Sequence, residues 1–209
     1  RQDDFLISSW QQWHLKVFDS VEAFLADRVG RVACWNTMIS PWADLFGDDS
    51  VTVRPFSRDR LKGRDVVTDF LDCIAVDQDG LVDLVRTANP SFDEALARLA
   101  HRVRDEFEGQ HDNRFYEVMV RLLGQGALKK GSASSLLDLE TRHRIMARYR
   151  DQNDALRDRF LPEMGSAPLF RPPGDKDVLT VSDDQKLSDD IAMLTRAVYA
   201  LAKRDEASR

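Results

Sequence analysis

Cysteine is scarce: Cys34 and Cys73 are the only two in 209 residues. They stand in apolar surroundings with no CxxC or Cys/His spacing around them. The reading is a pair of buried free thiols in preference to a disulfide, and no metal site is expected. Long apolar runs are missing too. None approaches the ~18 residues of a membrane span and no secretory leader is visible, so a cytoplasmic protein without a membrane span is the expectation. A surplus of positive charge is absent as well: 30 Lys and Arg stand against 36 Asp and Glu, a formal net charge of −6. That balance disfavours general binding to nucleic acid or anionic membranes, while leaving room for a local basic pocket around an anionic cofactor.

What is present suffices for a core. Hydrophobic residues make up 43% of the chain and four are tryptophan, which argues against disorder, and the length suits one domain over 1–209. Helical patterning dominates. Phe5, Leu6, Trp10, Trp13 and Val17 share one stripe of a helix over 3–18, and "DSVEAFLAD" supplies a second with Asp19 or Ser20 as N-cap. In "SPWADLFG" Ser40 reads as a cap, Pro41 as the first helical residue and Gly47 as the stop. Val66, Val67, Phe70 and Ile74 give an apolar stripe to a helix over 63–75. Ser91 and Glu94 have capping-box spacing at the head of a helical region, 91–160, which closes with a long helix from Leu137 to Phe160. An extended linker over 163–177 and a C-terminal amphipathic helix over 187–203 complete the chain.

One segment breaks this pattern. "SVTVRPF", residues 50–56, alternates β-branched residues and ends in a proline, the composition of a strand. A strand needs neighbours for its backbone donors and acceptors, and "VLTVS" at 178–182 is the one further candidate. The expected fold is therefore α/β and strongly helix-rich, the later part of a parallel sheet flanked by helices, with its first strands lying before Arg1.

Three stretches in this order, "RQDDFLISSWQQW", "VTVRPFSRDRL" and "DVVTDFLDCIAV", resemble bacterial sulfotransferase-like P-loop proteins of the surface-polysaccharide type. In that family an arginine and a helix serine hold the 3′-phosphate of the sulfate donor PAPS, and a late basic pair with a glycine closes over the same phosphate. The resemblance implies that Ser8 is the family serine and that Lys129, Lys130 and Gly131 in "LKKGSASS" fill the late loop. The family arginine falls one place before Arg1. Residues 56–61 stand where the family has a "YEDL"-like segment and "DFLDCIAV" where it has "FLGL". No Gly-rich phosphate loop occurs anywhere in the sequence, and no catalytic base is assigned.

Each of these residues has a plainer reading beside it. Ser8 is one of two adjacent helix serines, Lys129 and Lys130 suit a solvated turn, and the four tryptophans suit a core. His14, His101, His111 and His143 have no carboxylate or cysteine at ligand spacing. Three functions stand: a PAPS-dependent transferase moving a sulfuryl group to a hydroxyl of a glycan or small metabolite, a non-catalytic helical protein-interaction module, and a nucleotide-sugar glycosyltransferase. The first implies an anionic nucleotide donor and a hydroxyl acceptor as partners.

Overall fold

The computed structural model describes residues 1–57, 59–77, 92–127 and 133–207. Within them the 3.6-residue periodicities become α1 (Gln2–Gln12), α2 (Val21–Arg28), α3 (Trp35–Phe46), α4 (Val66–Cys73), α5 (Glu94–Arg102), α6 (Arg114–Leu123), α7 (Leu139–Arg148), α8 (Arg150–Phe160) and α9 (Asp183–Ala207). None of these helices is long and apolar enough to cross a membrane.

The α/β expectation is corrected. Among the described residues there is no strand and no sheet, and hence no parallel sheet of the P-loop sulfotransferase kind. The β-type pairing seen is an isolated parallel bridge between Ser134 and Val178, where "VLTVS" begins. The segment after Ser50 is extended, as its β-branched residues favour, with Val51 at φ −120° and ψ 113°. Side chains, not a ladder, hold it. Val53 packs against Leu156, Leu161 and Leu169, the Arg54 guanidinium forks onto Asp69 at 2.8 and 2.5 Å, and Pro55 has no N–H to offer a neighbouring strand.

The chain divides into two units. The first comprises 1–31, 89–145 and 173–209. Its α1 buries Leu6, Ile7 and Trp10 but ends at Gln12, so Val17 leaves the expected stripe and Leu15, in a 3-10 turn, takes a core place instead. Phe24 of α2 meets Trp10, His14 and Phe18 with ring centroids 4.7–5.6 Å apart. Aromatic contacts of this kind add to the roughly 1.5–3 kcal/mol that each buried side chain of this size contributes. Leu96, Leu99 and Ala100 of α5, Tyr116 and Met119 of α6, and Met193 and Ala197 of α9 are buried in the same unit. α5 is capped by Asp93, whose carboxylate accepts the Ala95 N–H at 2.8 Å, and not by Ser91, which lies outside the described residues.

The second unit comprises 32–88 and 146–172. Here α3 starts six residues before Pro41, because Trp35 and Ile39 pack on the leucines of α8 and the turn after it, and that burial overrides the usual bias against helix ahead of proline. Gly47 ends it at φ +87°, a conformation that excludes most side chains. The long helix expected over 137–160 is two: Tyr149 breaks it at φ −102° and ψ 4°, its hydroxyl donating to the Val32 carbonyl at 2.8 Å. α4 is turned inside out. Asp69 points inward and accepts from Arg54 and the Lys62 N–H, while Val66, Val67, Phe70 and Ile74 face solvent.

Leu156 centres the second unit at 3% exposure. Leu156→Ala is expected to lower unfolding free energy by about 2–5 kcal/mol in urea titration. A loss below about 0.5 kcal/mol, the range of a surface substitution, would remove it from the core.

Candidate functional site

The richest concentration of polar chemistry in the first unit lies at the start of α1. Asp3 and Asp4 occupy the first turn, where a helix dipole favours carboxylates. Arg1 precedes them and grips Asp3 with two parallel bonds, Nε to Oδ1 and Nη2 to Oδ2, both 3.0 Å. Its remaining Nη1 donates to Asp177 Oδ2 at 3.0 Å. Arg142, in the first turn of α7 and wholly buried, adds Nη1 bonds to Asp3 Oδ2 at 2.7 Å and to Asp4 Oδ1 at 3.1 Å. Arg142 Nε and Nη2 are buried without a hydrogen-bond partner. Burial works against the Arg1 charge, yet the bond to Asp177 and the fields of the three aspartates more than offset it and hold its pKa above the usual arginine value.

Asp177 connects this network to a second one. Its carbonyl accepts the Ser134 N–H at 3.2 Å, and the Leu179 N–H donates to the Ser134 carbonyl at 3.0 Å, which makes the Ser134–Val178 bridge. Glu94, in the first turn of α5, then takes the Ser134 hydroxyl at 2.6 Å, the Ser135 hydroxyl at 2.5 Å and the Ser135 N–H at 3.1 Å. On the other side, the Asp93 N–H donates to the Ala127 carbonyl at 3.1 Å. Ala127 on one side of 128–132 and Ser134 and Ser135 on the other are thus tied to the start of α5. Neither Glu94 acting as a clamp nor Asp177 acting as a hub was signalled by the sequence, since their partners lie 40 and 176 positions away.

Of the residues expected at a phosphate, Ser8 is exposed on α1, while Lys129, Lys130 and Gly131 lie outside the described residues. The neighbouring Ser9 is the buried serine: His14 Nδ1 lies 3.0 Å from both its hydroxyl and its carbonyl oxygen. Trp10 belongs to the core, with Phe24 and His101 around it. Lys16, also buried, spends its ammonium group on the Gln110 and Asp112 carbonyls and on Asn113 Oδ1 at 2.6–3.2 Å. Burial still pushes its pKa below the ordinary lysine value, against the field of Asp112. Lys16 is a fastener between chain segments, with its donors taken. Among the described residues no group of three His, Cys, Asp or Glu side chains is placed to hold a metal ion.

The sequence matches no family model and no solved structure. It is 24% identical over 157 residues to an uncharacterized protein of Archaeoglobus fulgidus. The aligned region is 75% of this chain and 42% of that relative, so the chain spans less than half of the relative's length.

Desolvation in the aromatic cluster lowers the His14 pKa below its ordinary 6.5, and the Ser9 carbonyl compensates only in part. The folded protein therefore binds fewer protons than the unfolded chain around that pH, and this contribution to stability falls as pH drops from 6.5 through the folded pKa. Thermal unfolding between neutral pH and pH 5 is expected to show a declining midpoint in the wild type. The decline should be flatter in His14→Gln. An unchanged slope in the variant would contradict the assignment.

Proposed function

We propose that this chain contributes the 3′-phosphate side of a PAPS site in a transferase that moves a sulfuryl group to a hydroxyl of a glycan or small metabolite. One observation carries the reading: Asp177 joins the start of α1 to Ser134, beside the interval that holds Lys129, Lys130 and Gly131. Those are the two places to which the sequence resemblance assigns the phosphate ligands, and Ser8 sits seven residues along α1, about 10 Å from its start. The reading concerns activity alone, and the parallel sheet forms no part of it.

The charge at this place sets how a dianion would be held. Arg1 and Arg142 are matched inside the protein by Asp3 and Asp177, with Asp4 at the edge, so they leave no net positive charge for a ligand. Neutralisation of a phosphate falls to Lys129 and Lys130, with a glycine that lets backbone N–H groups approach closely. The donor would supply the sulfuryl group. This chain's residues would bind and orient the nucleotide at its 3′ side.

A second reading, a helical protein-interaction module, is favoured by a separate observation. Met38, Trp42, Leu45 and Phe46 of α3 and the outward stripe of α4 are exposed, and apolar surface of that kind marks contact sites.

Calorimetric titration with adenosine 3′,5′-bisphosphate and with adenosine 5′-monophosphate separates the two. The bisphosphate is expected to bind at least about tenfold more tightly, because each charge-assisted bond to the extra phosphate is worth about 1.5–3 kcal/mol. Lys130→Ala should erase most of that preference. Equal affinities, or a preference that survives both Lys130→Ala and Ser8→Ala, would reject the transferase and leave the interaction module.

A further inference from the structure

His101 makes a contact that a single proton completes. It stands half-buried in the last turn of α5, with Nδ1 2.7 Å from the Leu15 carbonyl oxygen and Nε2 3.1 Å from the Asp19 carbonyl oxygen. Both partners can only accept. A neutral imidazole has one N–H to give, so it bonds one carbonyl and turns a lone pair on the other, whereas the imidazolium donates to both. The Leu15 contact is the shorter and deeper of the two, with Leu15 buried and Asp19 exposed. A neutral ring therefore keeps its proton on Nδ1, and the contact with Asp19 is the one that needs a second proton.

The two carbonyls bracket the approach to α2. Leu15 belongs to the 3-10 turn after α1, and Asp19 precedes Ser20, whose hydroxyl caps α2 by accepting the Ala23 N–H at 3.1 Å. The charged groups around the ring are committed elsewhere. The Asp19 carboxylate takes Arg104 Nη2 at 3.1 Å, and Arg104 Nε lies 3.9 Å from Asp105. Lys16, in the same turn as Leu15, gives its ammonium group to the Gln110 and Asp112 carbonyls, and His14 faces Ser9. On α5 itself Arg98 and Arg102 turn to Asp190. α1 presents the uncharged Trp10, its ring centroid 5.5 Å from that of His101. Among the described residues no carboxylate touches the His101 ring, so backbone carbonyls alone read its protonation.

We propose that His101 is a proton-operated clasp: Nε2 takes one proton from solvent, donates it to the Asp19 carbonyl and so fastens the entry of α2 to the end of α5. Loss of that proton frees the Asp19 end while the Leu15 bond stays. Histidine is the side chain whose ordinary charge change falls between about pH 5 and 8, and the end of a helix favours a cation there. His14 works in the opposite sense, since burial resists its proton. The clasp is therefore read at its own atoms and not from a stability curve.

The test is an NMR titration of the full isotope-labelled chain between about pH 8 and about pH 5. It follows the His101 ring and the backbone amides of Lys16 and Ser20, which share peptide groups with the two carbonyls. The Ser20 amide is expected to shift along the same curve as the His101 ring while the Lys16 amide stays in place, and at the alkaline end the ring should carry its one proton on Nδ1. In His101→Phe, which keeps an aromatic ring against Trp10, the Ser20 shift should vanish, and in His14→Gln it should persist. The wild-type curves are decisive by themselves if His101→Phe does not fold. A ring that keeps one charge state throughout, or one that titrates while Ser20 stays still, would overturn the proposal. So would a Lys16 shift in place of the Ser20 shift, or a Ser20 shift that survives His101→Phe.

Discussion

Four charges withdrawn from water, Arg1, Asp3, Arg142 and Asp177, are the constraint on which the first unit depends. Side chains of all four are 0–5% exposed. Moving such ions out of water costs several kcal/mol apiece even after relaxation, and the arrangement is tolerable only because every carboxylate meets more than one donor. Asp3 receives both prongs of Arg1 and the Nη1 of Arg142. Asp177 receives Arg1 and the Gly174 N–H at 2.9 Å. The network joins residues from three separate stretches of chain, so the unit closes only when all three are in register. Arg142 is the imperfect member, with two buried donors unmatched.

That constraint governs what the candidate site can be. Because the guanidinium charges are already matched, the start of α1 is a framework and not itself an anion receptor. Its contribution is positional. Through Asp177 it holds Ser134, and Glu94 and Asp93 tie Ser134, Ser135 and Ala127, the described residues on either side of 128–132, to the start of α5. The described residues on either side of that interval are held by buried and half-buried bonds.

Much of the helical content was legible because its signals are local. Gly124 stops α6 and Pro162 follows α8 as the sequence rules require, and the apolar spacing of residues 187–203 marked the middle of α9. Two kinds of signal misled. Val51 and Val53 have strand chemistry, but Arg54 finds Asp69 fifteen residues on and the leucines of α8 and the turn after it take Val53, so tertiary contacts hold an extended segment with no partner strand among the described residues. The stripe Val66, Val67, Phe70 and Ile74 has helical spacing, but spacing says nothing about which face turns inward, and the Asp69 ion pair turned α4 the other way. The site was the least legible part. The resemblance points to Ser8, which is exposed on α1, while Arg142, Asp3 and Asp177 are ordinary charged residues until folding brings positions 3, 142 and 177 together.

The claim that this buried network carries the first unit is tested most directly by comparing Asp3→Ala with Arg142→Met in urea unfolding. Asp3→Ala removes the carboxylate that both buried guanidiniums share, leaving Arg1 to Asp177 and Arg142 to the half-exposed Asp4 alone, and is expected to cost about 3–5 kcal/mol. Arg142→Met keeps the Arg1–Asp3 pair and removes two unmatched donors together with the charge, so its cost should be clearly smaller. An Asp3→Ala protein within about 0.5 kcal/mol of wild type, or an Arg142→Met protein less stable than Asp3→Ala, would contradict the account.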